Sequence, residues 1–285
     1  MSFQSTKPDT RFGTQSRRPG PPAPLAAALA TLLSTTASFG VKAGTAITPD
    51  GRTDTDVAGS GDQRTVTTET VRGDNAFNSF SRFRVSKGHE ANLKLPAGTR
   101  NLINLVHDSK AVVNGTVNSL KGGKIGGNVV FADPHGFVVG PSGTINVGSL
   151  GVATPTPGFM DRVISPSGEV SPDATDQLLT GSFPLASDAP IRLEGRINAE
   201  ETVRILGGDV SQKGAIRIQE AGDPDGLAAK LFHKAVNTEG LARGGAIEAR
   251  NGDIVIAAAK DAAIGGPLTA EGGPDQSGGT VLVTA

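Results

Sequence analysis

Beyond residue 44, short runs of β-branched and aliphatic residues alternate with clusters of glycine, proline, asparagine and aspartate. Lys110-Ala-Val-Val-Asn-Gly-Thr-Val117, Gly127-Asn-Val-Val-Phe131, Gly136-Phe-Val-Val139 and Thr144-Ile-Asn-Val147 each have the length of a strand and are bounded by turn residues. Ile191-Arg-Leu193, Thr202-Val-Arg-Ile205, Ala215-Ile-Arg-Ile218, Gly252-Asp-Ile-Val-Ile256 and Gly279-Thr-Val-Leu-Val283 repeat the theme. No 3.6-residue period runs through this region, which argues against alternating helix–strand crossovers. Equivalent positions recur at roughly 20–30 residues, the spacing of an architecture in which one coil is one repeat. Such coils turn Ile, Val and Leu inward and Arg, Glu and Thr outward, with backbone hydrogen bonds running from coil to coil. The pattern predicts an all-β solenoid, a parallel β-helix with short helical excursions. A β-sandwich is the rival reading, but it calls for longer strands and an aromatic core.

Two segments depart from this pattern. Residues 153–190 carry six prolines, and within them Ser171-Pro-Asp-Ala-Thr-Asp-Gln-Leu-Leu179 predicts a short helix with Ser171 as N-cap and Pro172 in the first turn. Residues 223–240 contain Leu227, Leu231 and Ala235 at a spacing that makes one narrow apolar face. Both are expected to pack back over the solenoid as insertions. A solenoid also needs its ends protected, and residues 62–106 are the candidate N-terminal cap. The strand-rich pattern stops at Gly278-Gly-Thr-Val-Leu-Val-Thr-Ala285 without a cap, which reads as a fragment of a longer protein.

The first 43 residues are of another kind. Arg11, Arg17 and Arg18 precede a proline-rich stretch, then Leu25-Ala-Ala-Ala-Leu-Ala-Thr-Leu-Leu33 forms a short apolar core, and Val41-Lys42-Ala43 places small or apolar residues around a cut after Ala43. Basic region, apolar region and small-residue site are the three parts of a secretory signal, so residues 1–43 are read as a signal peptide and 44–285 as the exported domain. The apolar run is too short for a permanent membrane span, so no stable membrane insertion is expected.

Composition narrows the picture further. The chain holds 39 glycines without a Gly-X-Y period, which excludes collagen and suits a fold of many tight turns. It has 11 Phe and neither Trp nor Tyr, in keeping with a narrow interior of small branched side chains. The formal net charge of −1 gives no reason to expect nucleic acid as a partner. Absence of cysteine removes disulfides and thiol chemistry, and suits a chain that is threaded through an oxidising compartment unfolded.

An ordered series of motifs lies between Asn75 and Met160. Asn75-Ala-Phe-Asn-Ser-Phe-Ser-Arg-Phe-Arg-Val85 is followed by Leu95-Pro-Ala-Gly-Thr-Arg-Asn-Leu-Ile-Asn-Leu105, Asn114-Gly-Thr-Val-Asn118 and Lys124-Ile-Gly-Gly-Asn-Val-Val-Phe131. Asp133-Pro-His-Gly-Phe137, Asn146-Val-Gly-Ser-Leu150 and Thr154-Pro-Thr156 complete it. The series resembles the N-terminal domain of two-partner-secretion exoproteins of the filamentous haemagglutinin type, and is most similar to leukotoxin-family filamentous adhesins. In that family an Asn-Pro-Asn-Gly-Ile-like motif marks the secretion domain. Its matching positions here are Asp133, Pro134, His135, Gly136 and Phe137, with both asparagines replaced but the turn chemistry retained. The resemblance implies a right-handed β-helix, an outer-membrane partner transporter, and a secreted or cell-surface destination reached through the periplasm.

Residues with chemistry of their own are sparse. His89, His107, His135 and His233 are far apart and form no metal-binding pair, and calcium or phosphate loops are absent from the sequence. No catalytic residues, metal or cofactor are therefore expected, and the chain is read as a non-enzyme. The alternatives are a β-helical carbohydrate-active enzyme, for which Glu194 and Asp209 on neighbouring strands are the candidate carboxylates, and the delivery stem of a larger toxin. Arg72-Gly73-Asp74 is a candidate receptor tripeptide, and a host-cell receptor or glycan is a candidate partner.

Overall fold

A computed structural model describes residues 44–219, 252–265, 268–271 and 279–284. The signal-peptide segment 1–43 and the second excursion, 223–240, lie outside the described residues.

The first described elements are antiparallel. β1 (Ala46–Pro49) runs against the later half of the first long strand, at residues 80–84, and β2 (Thr55–Ala58) runs against β3 (Gln63–Thr68). β4 (Val71–Arg72) forms a hairpin with the start of that long strand, at Asn75 and Ala76. Parallel pairing begins where β3 meets the first full coil, at Gln63↔Glu90. The region 62–106 thus contains both antiparallel pairs and parallel coil strands.

From there each coil lays one strand on each of three faces. The first coil is β5 (Asn75–Val85), which turns a corner within its length, and β6 (Glu90–Lys94). The second is β7 (Asn101–Val106), β8 (Ala111–Val113) and β9 (Thr116–Lys121), the last extended by a hairpin to β10 (Lys124–Ile125). The third is β11 (Asn128–Ala132), β12 (Phe137–Val139) and β13 (Thr144–Val147). In the fourth, β14 (Ser149–Ala153) is separated by two helices, α1 (Pro157–Val163) and α2 (Pro172–Thr180), from β15 (Pro190–Leu193) and β16 (Arg196–Ala199). β17 (Val203–Gln212) with β18 (Ala215–Gln219), β19 (Ile254–Ile264) with β20 (Leu268–Glu271), and β21 (Val281–Thr284) continue the stack. The protein is an all-β parallel β-helix with short helical excursions.

Parallel pairing in constant register turns the period into ladders. On the first face, Ala76, Leu102, Val129, Leu150, Val203 and Ile254 are successive partners. On the third face, Ala91, Val117, Ile145, Ile197 and Ile216 are. These inward residues form one continuous core. At about 0.8 kcal/mol per buried CH₂ group, it is the main favourable term of the fold.

Its content differs from the small-branched interior expected. Phe80, Phe83, Phe131 and Phe137 are fully buried and form a chain of rings at the corner of the first and second faces, with centroids 5.4, 5.1 and 5.2 Å apart. Pairwise edge and tilted geometries let rings replace several branched side chains in the early coils. The phenylalanines are few in the chain but concentrated where the stack begins.

Outward positions are also ordered. On the third face the side-chain amides of Asn92, Asn118, Asn146 and Asn198 form a ladder, each Nδ2 donating to the Oδ1 of the coil before at 3.0, 2.8 and 2.7 Å. The separations are 26, 28 and 52 residues, the last because the helices intervene. Each amide bond is worth about 1 kcal/mol net, and the ladder penalises a slip of one coil against the next.

A second core covers the outer surface of the first face. Phe77, Ile103, Leu105, Ala132 and Ala153 point away from the solenoid interior, and Phe159, Met160, Val163, Ile164, Ala174 and Leu178 of the excursion bury them. α2 starts as the sequence predicts: the Ser171 hydroxyl accepts from Ala174 N–H at 3.3 Å, and Gly181 closes the helix in the left-handed conformation. α1, of seven residues, was not legible as a helix. Arg52 ties this layer to the N-terminal strands through Asp161 Oδ1 at 2.6 Å and the Ile164 carbonyl at 3.2 Å.

Candidate functional site

Residues 133–137 form the corner between β11 and β12, and they bind three successive coils together. Asp133 N–H donates to the Ala153 carbonyl of the coil after at 3.0 Å. The Asp133 carboxylate closes a tight turn on its own coil, accepting from His135 N–H at 2.8 Å, and reaches the coil before it through Ala111 N–H at 2.7 Å. Two carboxylate oxygens accepting from two coils is an arrangement that a single amide oxygen cannot reproduce. Gly136 is needed twice over: its φ is 108°, and a Cβ there would stand 3.0 Å from Pro190 Cδ and closer still to the Pro190 carbonyl. Phe137 turns inward and packs on Phe131. His135 is the motif's only exposed residue.

The environment of Asp133 is electrostatically tense. Its carboxyl is fully buried, and burial pushes its pKa up to about 7, against the pull of the His135, Ala111 and Gly136 N–H groups and of Lys110. Because the folded value exceeds the unfolded one, the folded chain holds the proton more tightly. Its contribution to stability is therefore full below about pH 4 and is lost as pH rises through 7. At about 1.4 kcal/mol per unit, the loss is on the order of a few kcal/mol. His107 works in the opposite sense: burial first, then Arg52, lowers its pKa, so its contribution is lost as pH falls below the ordinary histidine range. Comparison with Asp133→Asn separates the two. The chain is expected to lose stability relative to this variant between about pH 4.5 and 7.5 in urea unfolding, and a constant difference across that range would refute the assignment.

The other sequence candidates are placed apart. Arg72, Gly73 and Asp74 sit at the tip of the β4–β5 hairpin, fully displayed, with Asp74 3.3 Å from the Arg100 guanidinium. Ala43 lies outside the described residues, as does His233. Asp209 is level with Pro190, four residues before Glu194 on the neighbouring strand, and its carboxylate pairs with Arg192 at 3.2 Å. The two carboxylates are therefore not brought together across a groove. His107 stands 3.9 Å from Asp50, while Asp50 accepts from the Ser79 hydroxyl at 2.7 Å. Among the described residues no three His, Asp or Glu side chains converge where they could hold a metal ion, and no helix is long and apolar enough to cross a membrane.

Sequence reasoning missed the reach of Asp133 to Ala111. The visible signal was an aspartate between Phe131-Ala132 and Pro134, an acid placed in an apolar run. A carboxylate there has to find donors, and the register supplies them from the coil before.

A family model described as "TPS secretion domain" matches residues 45–279. No curated protein matches the chain.

Proposed function

From the premise that this chain belongs to the TPS secretion-domain family, and so is a domain of a two-partner-secretion exoprotein exported across the outer membrane, we propose that it directs the export of a filamentous, haemagglutinin-like adhesin. The observation that carries the reading is coincidence of extent: the family match covers the same span that the coils occupy, from β1 to the edge of β21. Residues 1–43 carry the chain into the periplasm as a signal peptide removed after Ala43. The unfolded domain then engages an outer-membrane partner transporter, and the coils form as they emerge. Stacking gives the process direction, because each coil templates the next and resists retreat through the pore. The early coils suit nucleation: they hold the phenylalanine corner, the start of the third-face asparagine ladder, a second amide ladder of Asn75, Asn101 and Asn128 on the first face, and the Asp133 staple, all of which join neighbouring coils. No residue need perform chemistry for this role.

The corner at 133–137 is the candidate recognition element, and its two kinds of residue separate recognition from folding. His135 is exposed, with its imidazole Nδ1 3.5 Å from the Asp133 carboxylate, and it pairs with no other coil, whereas Asp133 reaches the coil before it. In cells making the full chain and its partner transporter, His135→Ala is expected to reduce the exported fraction several-fold, with a shift in the urea midpoint of the purified protein much smaller than that of Asp133→Ala. Export at the unsubstituted level would remove His135 as a contact and leave the motif a folding element alone.

A further inference from the structure

Four cations stand together on the second face of the early coils. Arg82 and Arg84 are the outward positions of β5, alternating with the buried Phe83 and Val85; Lys87 follows in the next turn, and Lys110 precedes β8. β5 and β8 are parallel with Arg84 level with Val112, so the same register carried two residues back sets Lys110 beside Arg82. Neighbouring strands are about 4.8 Å apart, and like charges facing each other at that spacing destabilise a sheet. Among the described residues no hydrogen bond or ion pair holds the side chain of any of the four. Several other cations are paired: the half-buried Arg52 with Asp161, Arg100 with Asp74, Arg192 with Asp209 and Lys260 with Asp188.

The four cations line two adjoining depressions that share Arg84. One, of about 850 Å³, also holds Ser86, His89, Asn114 and Ser142; the other, of about 660 Å³, holds Gly44, Ala46, Ser109 and Val112. The acids nearby do not balance the charge. Asp62 lies in the larger depression 3.4 Å from His89, and the carboxyl of Asp133, which faces Lys110, is buried. Hydroxyls, an amide and cations make up most of the lining, with no aromatic or large aliphatic side chain. Many peptide-binding grooves add apolar pockets for anchoring side chains, and neither depression is lined by a Phe, Leu, Ile or Met. The cations are spread along two depressions rather than gathered on one point, which fits several anionic groups on a chain better than a single phosphate.

We propose that this groove binds an anionic polysaccharide, with carboxylate or sulfate groups against Arg82, Arg84, Lys87 and Lys110 and sugar hydroxyls against the serine and asparagine side chains. The site is independent of the export reading, since it needs only the folded early coils. It gives the exported chain an adhesive surface in the same coils that carry the secretion motif.

The test is binding of the full chain to a heparin oligosaccharide (sulfate and carboxylate) and to polygalacturonate (carboxylate alone), with neutral dextran and polyglutamate as comparisons. The combined variant Arg82→Gln, Arg84→Gln, Lys110→Gln is expected to weaken binding of one or both polysaccharides at least tenfold, and to flatten its salt dependence. Lys121→Gln with Lys124→Gln, on the β9–β10 hairpin, is expected to change it less than twofold. Equal loss in both variants, or no polysaccharide binding by the unsubstituted chain, would overturn the proposal. Polyglutamate binding as tightly as either polysaccharide would also overturn it, by pointing to an acidic protein segment. Export measured on the same variants is expected to be unchanged, so failure of the glycan site and failure of the secretion role give different results.

Discussion

Replacing Phe131 with alanine is expected to destabilise the chain by about 3–5 kcal/mol, the cost of deleting a fully buried aromatic ring and leaving its cavity. Phe131 is the central link of the ring series: its centroid is 5.1 Å from that of Phe83 and 5.2 Å from that of Phe137. Removing it therefore costs two ring contacts as well as burial, and it separates the first coil from the third. Relaxation is restricted, because β11 is held in register on both sides by β7 and β14. Urea unfolding of the purified protein measures the effect. Phe131→Leu is the volume check, with an expected loss well under half as large. If alanine and leucine were equally mild, the rings would not be the fastening of the early coils.

Gly195→Ala is expected to cost about 2–3 kcal/mol for the addition of one methyl group. A Cβ at Gly195 would stand 2.5 Å from the Gly140 carbonyl oxygen and closer to that of Gly143. The offending atoms are backbone, so no rotamer change relieves them. The same corner holds Gly115, Gly143 and Gly214 in other coils, each with a neighbouring coil's carbonyl where its Cβ would be. Glycine is required there by the closeness of stacked coils, with Glu194 and Gly195 N–H both donating to the Val139 carbonyl at 2.7 and 3.2 Å. Circular dichroism melting compares this variant with Gly122→Ala, whose Cβ would meet nothing within 4 Å. Gly122 has a φ of 60°, so that substitution carries only backbone strain, on the order of 1 kcal/mol.

Much of the solenoid was legible because its strands declare themselves. Val-Val-Phe at 129–131 and Phe-Val-Val at 137–139 are β-branched or aromatic runs between turn residues, and the structure pairs them coil on coil. The helix capped by Ser171 was equally plain, since its cap, its proline and its closing glycine are all local signals. The features that escaped detection depend on partners distant in sequence. Phe77, Ile103 and Leu105 lie in strands that are apolar on both faces, and nothing local says that their outer face is covered by the 157–178 helices. α1 is too short to show a period. The antiparallel strands β1 and β2 precede the expected cap and gain their meaning from β5 and β3. At the candidate site, the turn around Gly136 could be read from Asp, Pro and Gly, but the donor at Ala111 is 22 residues away and meets Asp133 only when the coils stack.

The central claim is that residues 45–279 act as an export signal that folds by stacking. Its most direct test is to follow the full chain in cells with and without a candidate outer-membrane partner transporter, assaying medium and periplasm for the intact protein. The expected result is that the chain reaches the medium with the transporter and stays in the periplasm without it. Periplasmic retention beside a transporter shown to export another exoprotein would contradict the claim.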